Sequence, residues 1–294
     1  MSRYKPSGKI RKEQIDALYQ GCIDMHIHPA PDPSCSRRLD AVETVQEAER
    51  GGMRAVVLKS FFYPTTVLAQ AAQHSVETLR VFGSVTISNT ATGGLEYAPQ
   101  TVEMHARLGC KLLWFPAADA AYQLESAGRS GGIRILDDNG LLKREAKELL
   151  EIARAYDMVV CKGHMSFPET EALFLAARDM GIEKLVATHP LADTWGRFRS
   201  EEIARLAELG AYIEHVFGAL MPRLNSIDPA DYVDCIHAIG AGRSLMSSDL
   251  AQCMDPTPAE GMRFFIGTML QFGCTEEEVE KMVKHNPAQL LGLS

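Results

Sequence analysis

Apolar runs of five to seven residues recur along the whole chain, and a turn and a longer amphipathic stretch follow each of them. This alternation is typical of repeated βα units, in which helices cover a parallel sheet. The cores of the runs are almost continuously apolar, as expected for strands that are buried on both faces. We predict eight strands, at Cys22–Ile27, Ala55–Lys59, Arg80–Ile87, Lys111–Phe115, Met158–Lys162, Lys184–Thr188, Ala211–His215 and Ser244–Ser248.

The segments between these strands predict helices, and several of them end in a glycine that can form a left-handed cap. Residues 11–20 predict a short helix that could cover the bottom of a barrel, and residues 275–291 predict one or two closing helices. Eight βα units without a GxGxxG after the first strand favour a (β/α)₈ TIM barrel over a dinucleotide-binding fold. We expect one domain over residues 1–294. Examples of the predicted helices are Ala41–Arg50, Lys143–Ala155, Glu169–Met180 and Glu201–Leu209.

The connection after the fourth predicted strand is unusually long and runs from Pro116 to about Gly140. It contains several glycines and two arginines, Arg129 and Arg134. Loops that follow barrel strands lie over the face that carries the active site. We therefore expect this segment to lie over the site as a lid.

Composition and charge limit the classes of partner that we expect for the protein. The chain has 294 residues and a net charge of −8, and it has no long basic run, so we expect no nucleic-acid partner. No apolar run approaches the roughly 18 residues that span a bilayer, and Met1–Lys12 does not resemble a secretory signal. We expect a cytoplasmic protein without a membrane partner that binds a small molecule and can form homo-oligomers. Seven scattered cysteines indicate neither a disulfide framework nor a cysteine-based zinc site.

The strongest chemical signal is the sequence IDMHIHPAPD at residues 23–32. Because side chains alternate along a strand, we expect Asp24, His26 and His28 on one face, inside the barrel. Met25 and Ile27 are expected to point toward the helices. Two histidines in this spacing can bind one metal ion, although an isolated pair is more often structural.

Three further predicted strands end in residues that bind metals. His164 follows the fifth strand, His189 the sixth and Asp249 the eighth. All three lie where an apolar run stops, and hence at the same end of a barrel. Imidazoles and carboxylates suit zinc and similar divalent ions. The sequence therefore predicts one metal centre from His26, His28, His164, His189 and Asp249.

This pattern resembles the amidohydrolase superfamily, which includes phosphotriesterases, dihydroorotases and adenosine deaminase. That superfamily carries HxH on strand one, histidines after strands five and six, and an aspartate after strand eight. The resemblance extends from residue 22 to residue 290. The segment HNPAQLLGL, at residues 285–293, also resembles the closing helix of the superfamily. It implies one or two divalent metal ions, with zinc expected first and manganese, iron or nickel as alternatives.

One departure from the family pattern concerns Lys59. Members with two metals usually carry a carboxylated lysine or a glutamate at the end of strand four, but here that strand ends in Phe115 and Pro116. Lys59 instead ends the second predicted strand, beside the HxH strand. It could be carboxylated and bridge two metals, remain cationic and contact the substrate, or be an ordinary solvated lysine.

The expected activity is hydrolysis of an amide, ester, lactone or cyclic amide bond in a small molecule. A metal lowers the pKa of bound water from about 16 toward 7, and Asp249 would bind the metal and transfer the proton. Asp24 is expected to orient a metal-bound imidazole, or to have a structural role. The alternatives are a mononuclear metal-dependent decarboxylase and a non-catalytic metal-binding protein.

Candidates for substrate binding come from the loops on the same face, and a surface or structural role is the alternative for each. The candidates are His215, Arg197, Arg199, Asn89 and Tyr63, with Arg37 and Arg38 beside them.

Overall fold

The computed structural model describes residues 8–250 and 252–293, so the first part of the basic N-terminus lies outside the described residues. Its strands are parallel and follow the predicted order along the chain. They are β1 Ile23–Ile27, β2 Ala55–Leu58, β3 Arg80–Phe82, β4 Ser84–Thr86, β5 Leu112–Trp114, β6 Val159–Lys162, β7 Leu185–Ala187, β8 Tyr212–Val216 and β9 Ser244–Ser247. The predicted α/β architecture with parallel strands is confirmed.

The predicted third strand is divided into β3 and β4 at Gly83. A Cβ at this position would lie 2.4 Å from the Cα of Thr66, so only glycine lets the strand pass so close to the neighbouring backbone. The break separates a sheet of order β1-β2-β3 from a sheet of order β4-β5-β6-β7-β8-β9. One continuous segment therefore contributes an edge strand to each sheet.

Backbone hydrogen bonds also join the first strand to the residues that follow the last. The amide of Asp249 donates to the carbonyl of His26 at 2.8 Å, and the amide of His28 donates to the carbonyl of Leu250 at 3.1 Å. These bonds hold the carboxyl ends of β1 and β9 side by side. Three of the predicted metal ligands are thereby brought to one place.

Helices connect and cover the strands, and the four helices predicted above agree with the structure to within two residues. Helix α2, for example, begins at the predicted residue because Asp40 caps it by accepting a hydrogen bond from the amide of Glu43. No helix of the described residues is long and apolar enough to cross a membrane. The helices are α1 Lys12–Tyr19, α2 Ala41–Gly51, α3 Thr66–Gln73, α4 Asn89–Thr92, α5 Ala98–Arg107, α6 Ala121–Ser126, α7 Arg144–Ala155, α8 Phe167–Asp179, α9 Ser200–Glu208, α10 Pro229–Ile239, α11 Pro258–Phe272, α12 Glu276–Glu280 and α13 Asn286–Leu291.

The interior between the strands is covered by α13. Leu290 and Leu291 of this helix belong to the same buried cluster as the strand residues Ile23 and Val57. The hydroxyl of Tyr212, the first residue of β8, donates to the Gln289 side chain at 3.1 Å, so α13 lies at the amino ends of the strands. The closing helices predicted for residues 275–291 are confirmed.

Helix α1 has a different position from the one expected. It packs against α11, where the Arg263 guanidinium lies 4.8 Å from the centre of the Tyr19 ring. The side chain of Ile15 faces Gly267 of the same helix. The expectation that residues 11–20 cover the bottom of the barrel is wrong, because the leucines of α13 already fill that end.

We predict that Leu290→Ala destabilises the protein by about 2–5 kcal/mol, because it removes a large apolar side chain that is 1% exposed. Leu141→Ala is the matched control, since Leu141 is 62% exposed, and we expect a change within about 0.5 kcal/mol. Urea unfolding of both variants measures the difference. Equal shifts of the two midpoints would contradict the position assigned to α13.

Candidate metal centre

A bulge in β1 determines which of its side chains face the interior. Asp24 pairs with Val56 and Ile27 pairs with Leu58, so three steps along β1 match two steps along β2. The extra residue reverses the alternation, and Met25 joins the interior cluster while Ile27 joins the cluster under the helices. The expectation that Asp24 shares a face with the two histidines is therefore wrong, as is the outward position expected for Met25.

Three ligand atoms converge beyond this bulge. The Nε2 atoms of His26 and His28 lie 3.2 Å apart, and each lies 3.2 Å from Oδ1 of Asp249. Burial lowers the pKa of His28 to about 3, so its imidazole is neutral at physiological pH. Burial would raise the pKa of the Asp249 carboxyl, but the His26 and His28 imidazoles hold it well below its usual value. Neutral imidazoles and a charged carboxylate are the forms that bind divalent cations.

His164 and His189 lie across the same cavity. Their ring centroids are 5.1 Å apart, and the His189 ring is 6.1 Å from that of His26. Burial lowers the pKa of both imidazoles well below the usual value. Their Nδ1 atoms are buried without a hydrogen-bond partner among the described residues. The structure thus brings all five predicted ligands together, with His26, His28 and Asp249 in the tightest contact.

The position of His164 depends on Gly163. A Cβ on Gly163 would lie 2.1 Å from the carbonyl oxygen of Pro116, so any other residue would push the ends of β5 and β6 apart. The next amide, that of His164, donates to the same carbonyl at 2.9 Å. The glycine before the histidine is therefore part of the site.

Two of the candidate ligands have strained backbones. His189 has a φ of 33° and Asp249 a φ of 48°, both in the left-handed region that non-glycine residues rarely adopt. Each such residue costs on the order of 1–3 kcal/mol, and such strain clusters at functional sites. The hydrogen bond from the Asp249 amide to His26 holds one of them in place.

Glu214 has the orienting role that was expected of Asp24. Its Oε2 lies 3.2 Å from Nδ1 of His26, and both side chains are buried. A proton on Nδ1 leaves the lone pair of Nε2 free to face His28 and Asp249. The sequence offered a signal for this residue, because Glu214 is a carboxylate within the otherwise mostly apolar run of β8.

Asp24 instead holds the backbone of the site. Its Oδ1 accepts hydrogen bonds from the amides of His26 at 3.1 Å and Ser248 at 3.0 Å. It thereby joins the bulge of β1 to the residue that follows β9. Burial raises the pKa of this carboxyl to about 7.

Lys59 lies against the converging ligands. Its Nζ is 3.0 Å from Nε2 of His26 and 3.8 Å from the centre of the Trp114 ring. The side chain is 1% exposed, so the interpretation as a solvated lysine is wrong. Burial lowers the pKa of Lys59 to about 8.

Above these residues lies a cavity of about 320 Å³. Ala118, Gln123 and Arg129 of the long connection line it, so that segment lies over the site as expected. Besides these residues and the candidate ligands, the cavity is lined by Arg37, Phe61, Trp195, Arg223, Leu224 and Gln252.

Of the proposed substrate residues and their neighbours, Arg37 lines this cavity. Arg197 pairs with Asp231 at 2.9 Å, and Arg199 pairs with Glu202 at 3.0 Å. The structure does not bring either of these two arginines to the cavity wall.

The remaining candidates also lie off the cavity wall. The ring of His215 is fully buried, 4.9 Å from that of Tyr232, because β8 directs it toward the helices. The Tyr63 hydroxyl donates to the carbonyl of Pro31, and the Arg38 guanidinium donates to that of Asp255. Asn89 is exposed at the start of α4.

Several lining residues were not predicted from the sequence. Phe61, Trp195 and Arg223 all lie in loops, close after β2, β7 and β8 respectively. Proximity to a strand end was an available signal, but it does not distinguish these side chains from their neighbours in the same loops.

Comparison with known proteins places this site in context. A family model described as "Family of unknown function (DUF6282)" matches residues 21–214. No curated protein sequence matches the chain.

Several solved structures are similar in fold. The probable dipeptidase PvdM from Pseudomonas aeruginosa is 14% identical, with 95% of this chain and 97% of that chain covered and a TM-score of 0.61. An amidohydrolase from Pseudomonas aeruginosa is 13% identical, with 94% and 98% covered and a TM-score of 0.61. A 2,6-dihydroxybenzoate decarboxylase from Rhizobium is 13% identical, with 93% and 99% covered and a TM-score of 0.57. The fold is thus that of amidohydrolase-superfamily structures, which confirms the resemblance at the level of fold.

We predict that Asp24→Asn becomes more stable relative to the natural protein as pH rises from about 4 to about 7. An unfolded aspartate has a pKa of about 3.9, whereas burial raises that of folded Asp24 to about 7. The folded natural protein therefore binds the extra proton in this window and loses stability as pH rises, while the asparagine variant has no such group. Urea unfolding at several pH values measures the difference.

Asp24→Ala is the companion variant, because it leaves the amides of His26 and Ser248 without their acceptor. We expect the free energy of unfolding to fall by about 1–3 kcal/mol for each buried amide that loses its acceptor. A pH-independent difference for Asp24→Asn, together with no loss of stability for Asp24→Ala, would contradict the role of Asp24 in holding the backbone of the site.

Proposed function

Because this chain belongs to the family of unknown function DUF6282, we propose its activity from the site: a metal-dependent hydrolase of the amidohydrolase type. Its substrate is a small molecule with an amide, ester, lactone or cyclic amide bond. The observation that carries the proposal is the convergence of His26, His28 and Asp249 on the floor of a cavity.

In this proposal the eight βα units close into a (β/α)₈ barrel. The hydrogen bonds from Asp249 to His26 and from His28 to Leu250 support closure between the first and last strands. The continuous chain through Gly83 supports it on the other side, where the two sheets meet. The site then lies at the carboxyl ends of the strands, where barrel enzymes have their active sites.

The donor set fits a divalent cation. His26, His28 and Asp249 direct lone pairs at one another over 3.2 Å, and a cation among them would satisfy all three. His164 and His189 would complete this site or hold a second ion. We propose zinc, because imidazole nitrogen and carboxylate oxygen are its usual ligands together with cysteine. A divalent ion in such a site supplies activation of water and polarisation of a substrate oxygen.

The protein's own residues supply orientation and proton transfer. Glu214 fixes the tautomer of His26 through Nδ1, so that Nε2 keeps its lone pair. Asp249 is a charged carboxylate at the cavity floor, and it takes a proton at a carboxylate oxygen and holds it for the leaving group. Phe61 and Trp195 reduce the access of bulk water from the cavity walls.

Lys59 has the role of a carboxylated bridge in this proposal. Its pKa of about 8 keeps part of the amine neutral at physiological pH, and a neutral amine adds carbon dioxide to form a carbamate with release of one proton. The carbamate oxygens would provide the shared ligand that the family pattern otherwise has on strand four. The closeness of Nζ to Nε2 of His26 supports this position.

The alternative is a mononuclear metal-dependent decarboxylase. The observation that favours it is the position of Lys59 Nζ over the faces of Trp114 at 3.8 Å and Phe61 at 5.1 Å, which suits an unmodified ammonium. In that case Lys59 would contact the substrate and one metal would be enough.

We predict that Asp249→Asn and His26→Ala each reduce bound zinc by at least about tenfold and abolish activity. Loss of a residue that only hydrogen-bonds to a metal ligand already lowers metal affinity about ten- to a hundredfold, and loss of a ligand should cost at least as much. Asparagine tolerates the left-handed backbone of position 249, so this variant tests the ligand and not the fold. His74→Ala on the surface is the control. Elemental analysis of gently purified protein measures the metal. Full zinc content in Asp249→Asn would refute the proposed zinc site.

We predict two metals per chain and a carbamate signal from Lys59 after growth with carbon-13 bicarbonate, observed by NMR. Lys59→Met should remove the signal and one of the metals. One metal and no signal in the natural protein would instead support the decarboxylase alternative.

A further inference from the structure

Three arginines line the cavity above the candidate metal centre, Arg37, Arg129 and Arg223, and the exposed Arg129 and Arg223 lie at its rim. Asp249 is the one acidic residue among the lining residues that the structure describes, and it lies at the floor. The charge at the mouth is therefore positive. A bound divalent cation would make the cavity still more positive.

Two of these guanidiniums are held from behind. Nε and Nη2 of Arg37 both donate to Oδ2 of Asp32, at 3.1 and 2.5 Å, and Nε of Arg223 donates to the two oxygens of Asp255 at 3.1 and 2.9 Å. Neither aspartate lines the cavity. Each pair fixes the direction of its arginine. Arg37 keeps Nη1 for a ligand, and the Nη groups of Arg223 have no hydrogen-bond partner among the described residues. A guanidinium fixed in this way is preorganised to bind an oxyanion with its remaining donors.

Arg129 is the third and least constrained cation. It lies in the long connection over the site, and the described parts of the chain provide its guanidinium with no hydrogen-bond or ion-pair partner. Arg134, in the same connection, pairs instead with Glu125 and does not line the cavity. Across residues 8–250 and 252–293, no carboxylate therefore pairs with the positive charge of Arg129 at the cavity.

The walls below the rim are aromatic. The rings of Phe61 and Trp195 lie 5.9 and 5.7 Å from that of His164, and both line the cavity. The volume of about 320 Å³ is at the lower end for ligand pockets, so the ligand is small. Aromatic walls of this kind suit a flat, unsaturated body.

We propose that the substrate is a small organic anion, whose oxyanion pairs with Arg37, Arg129 and Arg223 while its flat body lies between Phe61 and Trp195. The bond to be cleaved then points toward His26, His28 and Asp249. This inference rests on the proposed function for the reaction, but the binding of the anion can be measured without any turnover.

The test uses calorimetric titration of the zinc-loaded protein with benzoate and with benzamide, its neutral isostere. We expect benzoate to bind at least about tenfold more tightly, as the loss of a charge-assisted hydrogen bond implies. Phenylphosphonate is the third probe, and its affinity relative to benzoate shows whether a carboxylate or a tetrahedral oxyanion is preferred. Equal affinity for all three probes would overturn the proposal.

Arg129→Gln is the decisive variant, because Arg129 is exposed and its replacement leaves no buried partner unpaired. We expect benzoate affinity to fall about tenfold and benzamide affinity to stay the same. Arg134→Gln is the matched control and should change neither. Equal losses for both probes in Arg129→Gln, or a benzoate loss in Arg134→Gln of the same size, would overturn the proposal.

The same titrations on chelator-treated, metal-free protein separate this proposal from the metal chemistry. We expect the preference for benzoate, and its dependence on Arg129, to persist there. If the preference for benzoate and its dependence on Arg129 persist, but the protein never binds zinc, the proposed function fails while the anion site stands. If the preference exists only with zinc and is unaffected by Arg129→Gln, the anion site fails while the metal centre stands.

Discussion

The structure depends on one unfavourable contact, in which Nε2 of His26, Nε2 of His28 and Oδ1 of Asp249 face one another at 3.2 Å in a buried place. Lone pairs that converge away from water repel unless a proton or a cation lies between them. Burial keeps His28 neutral, so a proton is a poor solution. The divalent cation proposed above would satisfy all three atoms, and the contacts of the surrounding structure hold these atoms together.

That support comes from backbone as much as from side chains. The bulge in β1 brings His26 and His28 to the interior, and Asp24 fixes the bulge to the residue after β9. Asp249 is held in a strained left-handed conformation by its hydrogen bond to His26. Because the left-handed conformations of His189 and Asp249 cost free energy, their occurrence at one point indicates a role beyond stability.

Charge is arranged in layers around the same point. Asp249 places negative charge at the floor, near the imidazoles of His28, His164 and His189, whose pKa values burial lowers. Arginines line the cavity above, and Asp32 and Asp255 lie behind two of them. Lys59 stands between the floor and the aromatic walls, where a pKa of about 8 makes its protonation sensitive to what is bound nearby. A substrate that enters would meet cations first and the converging ligands last.

The sequence by itself determined the order of strands and helices and the five residues that meet at the candidate metal centre, because apolar periodicity and polar residues at strand ends are local features of the chain. It also located Lys59 and the long connection over the site. Only the tertiary structure decided that Glu214, and not Asp24, orients His26, since a bulge shifts the alternation by one residue and depends on pairing with β2. The same holds for His215, which β8 turns toward the helices, and for Arg223 and Trp195, whose loops reach the cavity. Their positions follow from contacts between segments far apart in the chain, and no local pattern records them.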